Sequence, residues 1–285
     1  MKQKEYSIAF MCRELGVSKG GYYKWLKAKD KPYKHAGLLA KIKEILEEDK
    51  ENSEYGVVRM YQALKYKFNI KESQSTVGRV MRENNLTHKK KRNPLSLTKA
   101  DKEAQKEDDL LKRDFTAKKP NEKAVTDITQ LETLDGRLYI SGIFDCYDNY
   151  CLGLSMDDNM RKELVVDTIM QIRIKDIIIH SDRGKQYTSE EYKKTMKHFE
   201  MKQSMNSAGG RCHDNAKCES MWARFKEELI YGKLNTAKMS MDEVKQIVFR
   251  YFMGYWNNRR ICSSIGGVPP AYKRAKYYEQ LNLAA

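Results

Sequence analysis

Three acidic residues in this 285-residue chain stand where a carboxylate is hard to explain unless it has chemistry to do. Asp127 interrupts the β-branched run "VTDIT", and Asp182 follows three isoleucines and a histidine in "IIIHSDRGKQYTS". Glu219 lies in "CHDNAKCESMW", with Asn215 one turn before it and Lys226 two turns after it on the same helical face. A carboxylate inside an apolar strand is costly unless something pairs with it. Hard divalent cations such as Mg²⁺ take oxygen ligands and keep positions for substrate phosphates. Two such ions, about 3.5–4 Å apart, can clamp the attacking and leaving oxygens of an in-line displacement at phosphorus. Taken singly, each acid has a plainer reading. Asp127 is then an edge-strand residue facing water, Asp182 a cap for the turn at Arg183-Gly184, and Glu219 a solvated helix residue. Together, in the order strand, strand end, helix, they point to one metal-binding cluster.

The elements that must position these acids follow Pro120. Alternating apolar residues predict strands over 122–133, 136–148 and 150–158, with turns at Asp135-Gly136 and Asp148-Asn149. A helix is expected over 161–172, a buried strand over 176–182, a helix opened by Ser189 over 189–199, a short strand over 201–206 and a long helix over 212–231. Three antiparallel strands followed by strand–helix alternation imply an α/β fold, a ribonuclease-H-like mixed-sheet domain over 121–234. A C-terminal helix and a tail rich in Asn, Arg, Gly and Pro complete residues 235–285.

The first 120 residues have a different character. Residues 1–30 predict helix, glycine turn and helix: Ile8, Met11 and Leu15 face inward, Gly16 turns, and Ser18 caps a second helix holding Tyr22, Tyr23 and Trp25. Those aromatics could stack on bases, although helical aromatics usually belong to a core. Residues 36–88 read as a second helix-turn-helix-like domain. An amphipathic helix carries Leu38, Leu39, Ile42, Ile45 and Leu46, and a helix pair turns Val58, Tyr61, Leu64, Val77, Val80 and Met81 inward. Arg59, Lys65, Arg79 and Arg82 are left outside for phosphates. Residues 89–120 form a basic, charged linker.

Charge supports a polyanionic partner. The chain carries 54 Lys and Arg against 39 Asp and Glu; residues 1–120 hold 29 basic and 17 acidic side chains, so +12 of the net +15 falls there. That distribution points to nucleic acid, with a merely solvated lysine-rich surface as the alternative. No apolar run is long enough to span a membrane, and charges break the N-terminus too early for a signal peptide, which implies a cytoplasmic protein with six reduced cysteines. Cys212, His213 and Cys218 lack zinc spacing, so no zinc is expected. His180, beside the acids, reads either as a phosphate-orienting group or as a packed strand-end histidine.

The blocks "VTDIT", "IIIHSDRGKQYTS", "SMNSAGGRCHDNAKCES" and "YWNNRRICSSIGGVPPA" resemble the catalytic domain of DDE transposases from bacterial insertion sequences, which are related to retroviral integrases. "MCRELGVSKGGYYKW" and "YGVVRMYQAL…VGRVMRENNL" are similar to the helix-turn-helix segments of the group encoded in two overlapping frames, so this chain would be a second-frame product. The resemblance covers nearly the whole chain. It implies that Asp127, Asp182 and Glu219 are the catalytic metal ligands for two Mg²⁺ ions, with Mn²⁺ able to substitute, and that Lys226 contacts DNA. Lys19, Arg59, Arg79, His180, Arg183, Gln186, Tyr187 and Asn215 complete the expected DNA-binding set. The implied partners are double-stranded DNA (element ends and target), further copies of the chain, and the upstream first-frame protein as a fusion. The zinc-bound N-terminal module of retroviral integrases is absent, since that half offers only Cys12, His35 and His88.

Three features depart from the pattern. Ala124 stands where that group carries a tryptophan, with Tyr139 or Phe144 as candidates to fill the space. The interval from Asp182 to Glu219 has 36 residues (219 − 182 − 1), one more than usual, assigned to the loop "SAGGRC". The segment "DTIMQIRIKDIIIH", residues 167–180, is short. Two readings therefore stand: a metal-dependent enzyme of DNA strand cleavage and strand transfer, or a catalytically inactive helix-turn-helix DNA-binding protein. A ribonuclease or junction nuclease on the same fold would leave the two helix-turn-helix units unexplained.

Overall fold

The computed structural model describes residues 6–29, 31–87, 109–111, 114–206 and 215–284. His88, residues 89–108 of the expected linker, Cys212, His213 and the loop expected to absorb the extra residue lie outside these. The chain divides into two compact units, residues 1–44 and 45–285.

In the first unit, α1 (Ile8–Glu14) and α2 (Lys19–Ala28) are each opened by a serine, Ser7 and Ser18, whose hydroxyl accepts a backbone N–H three residues on. Gly16 takes the left-handed conformation that the turn between them requires (φ 64°). Leu15, expected to face inward, is 76% exposed, because the helix has already ended at Glu14 and the side chain falls on the turn. Trp25 and Tyr23 are exposed as well. The helix α3 (Ala36–Glu48) spans the division between the units.

The second unit opens with α4 (Val57–Phe68) and α5 (Gln74–Glu83), the latter capped by Ser73. Leu64, Val77, Val80 and Met81 are buried as their spacing implies, but Val58 is half exposed, since it lies in the first turn away from the facing helix.

The five-stranded sheet has the order β3-β2-β1-β4-β5, built from β1 (Lys123–Thr133), β2 (Gly136–Asp145), β3 (Cys151–Asp157), β4 (Ile178–Ser181) and β5 (Lys202–Met205). The first three strands are antiparallel, while β4 runs parallel to β1 and β5 parallel to β4. This is the ribonuclease-H-like mixed sheet. Gly136 (φ 124°) makes the first hairpin turn. On one face pack α6 (Lys162–Met170) and α8 (Glu190–His198), joined to β4 through the single turn α7 (Lys185–Thr188). On the other lie α9 (Ala216–Phe225), α10 (Met241–Phe249) and the wide helical turns that extend each of them, over 226–230 and 250–256.

Strand alternation fixes which side chain joins which layer. Ala124, Ile143 and Ile179 enter the α6–α8 layer; Val125 and Phe144 enter the α9–α10 layer. Phe144 therefore lies across the sheet from Ala124 and cannot fill space beside it. Ala124 is itself fully enclosed in its layer. The short connection after α6 closes with two residues in left-handed conformation, Arg173 (φ 39°) and Asp176 (φ 62°).

Two expectations change. The last described part of the supposed linker packs on the sheet: Leu111 is buried and the Leu110 N–H donates to the Ser204 hydroxyl (3.0 Å). One buried leucine and one backbone hydrogen bond anchor an otherwise charged stretch. The supposed tail contains α11 (Pro270–Ala284), begun by a proline, which suits the first helical position because its missing N–H would be unpaired there anyway. Among the described residues, no helix is long and apolar enough to cross a membrane.

Candidate active site

The parallel ladder between β1 and β4 runs through Lys123–Ile178 and Ala124–Ile179 and stops at Val125–His180. Asp127 and Asp182 each lie two residues further on, so parity turns both toward the face covered by α9. One oxygen of each carboxylate is held by the chain itself. The Ile128 N–H donates to Asp127 Oδ1 (2.8 Å), and the Gly184 N–H donates to Asp182 Oδ1 (2.9 Å). Asp182 therefore does cap the turn at Arg183-Gly184, and it does so beside a second carboxylate.

Glu219 lies in the first turn of α9, exposed, and its charge reaches Asp127. Burial first, then the charge of Asp182, pushes the Asp127 carboxyl up to about 7; Glu219 adds to this, while the Ile128 N–H and Lys226 oppose it. Asp182 is also raised, chiefly by burial. Lys226, half-buried, is lowered by burial, with Asp127 opposing. The three acids and the lysine thus share one electrostatic neighbourhood, where β4 ends alongside the middle of β1. Among the described residues, no three His, Cys, Asp or Glu side chains are gathered into a metal-holding set.

Several residues expected at a DNA surface lie elsewhere. His180 is 1% exposed; its Nδ1 meets the Ser204 hydroxyl and its Nε2 the Asn206 Oδ1, both at 2.9 Å, so it joins β4 to β5 as a packed strand-end histidine. Tyr187 is buried in the α6–α8 layer with its hydroxyl toward Thr126. Asn215 is buried and its Nδ2 donates to the Thr126 carbonyl (3.0 Å). Hydrophobic packing and backbone hydrogen bonds claimed all three. Arg183 donates to the Asn206 carbonyl and Gln186 to the Met160 carbonyl (3.0 Å), which uses part of their donor capacity. Lys19 and Arg79 are exposed.

Arg59 is the largest correction. Its guanidinium, expected to face phosphates, donates to Glu228 Oε1 (2.7 Å). Glu228 is buried and also receives Arg260 through both oxygens (2.7 and 2.6 Å) and the Tyr251 hydroxyl (2.8 Å). Burial works against its charge, yet Arg260 and Arg59 outweigh it and hold the carboxyl at about 2. The sequence contained the participants but no sign that residues 169 positions apart would meet.

One local signal was available and passed over. Gly142 sits inside a strand, a place where glycine often marks close approach. It is the cross-strand partner of Asp127, and a Cβ there would come within 2.9 Å of Trp222 Cη2. Cys218, on the same helix, is fully buried with its thiol pushed well up by burial, as befits a packed residue.

Residues 117–210 and 201–270 match the integrase core domain family, and residues 33–94 match the HTH-like domain. Transposase InsF for insertion sequence IS3A of Escherichia coli (strain K12) is 30% identical over 292 residues, covering 99% of this chain and 97% of that protein. The Insertion element IS600 uncharacterized 31 kDa protein of Shigella sonnei is 30% identical over 275 residues, covering 94% of this chain and 99% of that protein. Among solved structures, the HTLV-2 integrase catalytic core domain in complex with magnesium (dimeric form) is 12% identical, covering 56% of this chain and 98% of that one, with a TM-score of 0.38.

Proposed function

Because the chain belongs to the insertion-sequence transposases that carry an integrase core domain, we propose that it cuts DNA strands at the ends of an element and joins the exposed 3′-OH to a target phosphodiester. The observation that carries this reading is the shared position of Asp127 and Asp182, two residues past the last β1–β4 pair, with the charge of Glu219 reaching Asp127.

Asp127, Asp182 and Glu219 would hold two Mg²⁺ ions, or Mn²⁺ in their place. The donor set is all oxygen, as hard cations prefer. Asp182 and Glu219 raise the affinity of Asp127 for a proton, and a dication at the same place would relieve that repulsion. When bound, such a pair stabilises both the attacking and the leaving oxygen of an in-line displacement. The chain's own groups do the positioning. The Ile128 and Gly184 N–H groups each fix one carboxylate oxygen and so aim the other. Lys226 brings positive charge beside Asp127, where a scissile phosphate would sit. Water attacks first and the freed hydroxyl attacks second, at one site. Double-stranded DNA is the partner in the bacterial cytoplasm, gripped by basic helices that include Lys19 and Arg79; self-association on the ends and fusion to the upstream first-frame protein belong to the same proposal.

The test incubates the full chain and linear end duplexes with Mg²⁺ or Mn²⁺, and scores nicked and joined products. Asp127→Asn, Asp182→Asn and Glu219→Gln should each lower both reactions on the order of 10³-fold or more while leaving DNA binding in place. Persisting cleavage in any of the three sinks the reading. Tight end binding by the unaltered chain without cleavage under either metal would leave the DNA-binding role alone.

A further inference from the structure

Glu219 lies exposed in the first turn of α9, so where its backbone stands relative to Asp127 depends on how that helix is seated on the sheet. Two of the contacts that seat α9 on the sheet bracket both acids. Asn215, four residues before Glu219, donates from Nδ2 to the carbonyl of Thr126, the residue before Asp127. Trp222, three residues after Glu219, packs the outer end of its ring closely against Gly142, the cross-strand partner of Asp127. Each is about one helical turn from Glu219, on either side of it.

Neither contact resembles ordinary core packing. Gly142 leaves so little room that an added Cβ would fall 2.9 Å from Trp222 Cη2 and 3.1 Å from Cζ2. The indole cannot swing away, since Phe144 and Phe252 hold it edge-on at centroid distances of 5.3 and 5.6 Å. Among the described residues, both bracketing side chains also carry a buried polar atom with no hydrogen-bond partner, Asn215 Oδ1 and Trp222 Nε1. Apolar residues of similar size would avoid that penalty, so the amide and the indole are retained for where they sit.

We infer that Asn215 and the Trp222–Gly142 contact are the positioning elements that set the separation of Glu219 from Asp127, and with it the affinity of the three-carboxylate cluster for divalent metal. The inference rests on the metal-dependent reading above. Asn215 acts through the strand that carries Asp127, and Trp222 acts through the helix that carries Glu219.

The test compares the full chain with Asn215→Ala, Gly142→Ala, Trp222→Phe and the double variant Gly142→Ala/Trp222→Phe. Two quantities are read: the rise in melting temperature caused by Mg²⁺ without DNA, and the Mg²⁺ concentration giving half-maximal cleavage of an end duplex. Asn215→Ala and Gly142→Ala should melt cooperatively without metal yet need about 10–100-fold more Mg²⁺ and lose most of the metal-induced rise. The double variant should recover much of the response, because the smaller ring removes both close contacts with Trp222 and leaves only Phe144 Cε2, at 3.1 Å, against the added methyl. Unchanged Mg²⁺ dependence in Gly142→Ala and Asn215→Ala, or a double variant no better than Gly142→Ala, overturns the inference. If Gly142→Ala does not fold, Asn215→Ala decides by the same two measurements. An unaltered chain that melts cooperatively, ignores both metals and cuts nothing refutes the metal-dependent reading itself; a normal unaltered chain with indifferent variants refutes only the positioning roles.

Discussion

Asp127 and Asp182 occupy matching positions on neighbouring parallel strands, each two residues beyond the pair Val125–His180 where the ladder ends. Were the ladder to continue, the two carboxylates would stand side by side at the strand spacing of about 4.8 Å. The ladder ends two residues short of that point, and the charge of Asp182 still reaches Asp127 on the face covered by α9.

The raised carboxyl of Asp127 makes the site a source of instability that depends on pH. Its folded value of about 7 lies above the ordinary 3.8, so the folded chain binds a proton there more tightly than the unfolded one. Below about pH 4 both states are protonated and the cost is absent; as pH rises toward 7 it grows to its full size. Asp127→Asn should therefore melt higher than the unaltered chain at pH 8 without metal, by several degrees at about 2–4 °C per kcal/mol, and no higher at pH 4. Melting curves at both values check this, and an equal shift at both would contradict it.

Glu228 behaves in the opposite sense. Its carboxyl is held at about 2, below the usual 4.5, so its contribution is present above 4.5 and fades only as pH falls toward 2. Glu228→Ala leaves Arg260 buried without its counter-charge, and about 3–5 kcal/mol of stability should be lost at neutral pH. Urea denaturation measures it.

Arg79 and Arg59 should part company in DNA binding. Arg79→Ala removes an exposed cation on α5, which should weaken binding to all sequences and flatten the salt dependence by about 0.9 in logarithmic slope. Arg59→Ala should instead lower stability, as its guanidinium is engaged with Glu228. Fluorescence titrations between 50 and 200 mM salt, beside thermal melts, separate the two; a flattened slope in Arg59→Ala would contradict the placement.

Ala124→Trp, which restores the residue usual in the resembling group, should destabilise this chain by about 1–3 kcal/mol, because the position is fully enclosed among Ile143, Ile179 and their neighbours. An unchanged melting temperature would mean that the layer holds room for the ring.

Much of the core was legible because strand alternation and helix capping are local. The sequence of elements after Pro120 and the caps Ser18 and Ser189 follow from residues within a few positions of one another. What escaped was decided at long range. Whether Arg59 faces solvent or Glu228, and whether His180 meets a phosphate or Ser204, depends on which element folds over it. A residue type alone carries no record of that. The helix over 270–284 was hidden behind a glycine- and proline-rich stretch, which suggested a tail where the chain only turns before resuming.

The ionic joint at Glu228 has a mechanical meaning. Glu219 and Glu228 lie on one continuous helical rod, α9 and its wide final turn, and Arg59 belongs to a helix of the HTH-like domain. The rod is tied at its far end to the part that would grip a sequence and carries Glu219, which on the proposed function would help cut, near its start. Such a linkage works as a ruler: the distance from a gripped sequence to the severed bond is set by helix length, and lengthening the rod by one residue should displace the cut.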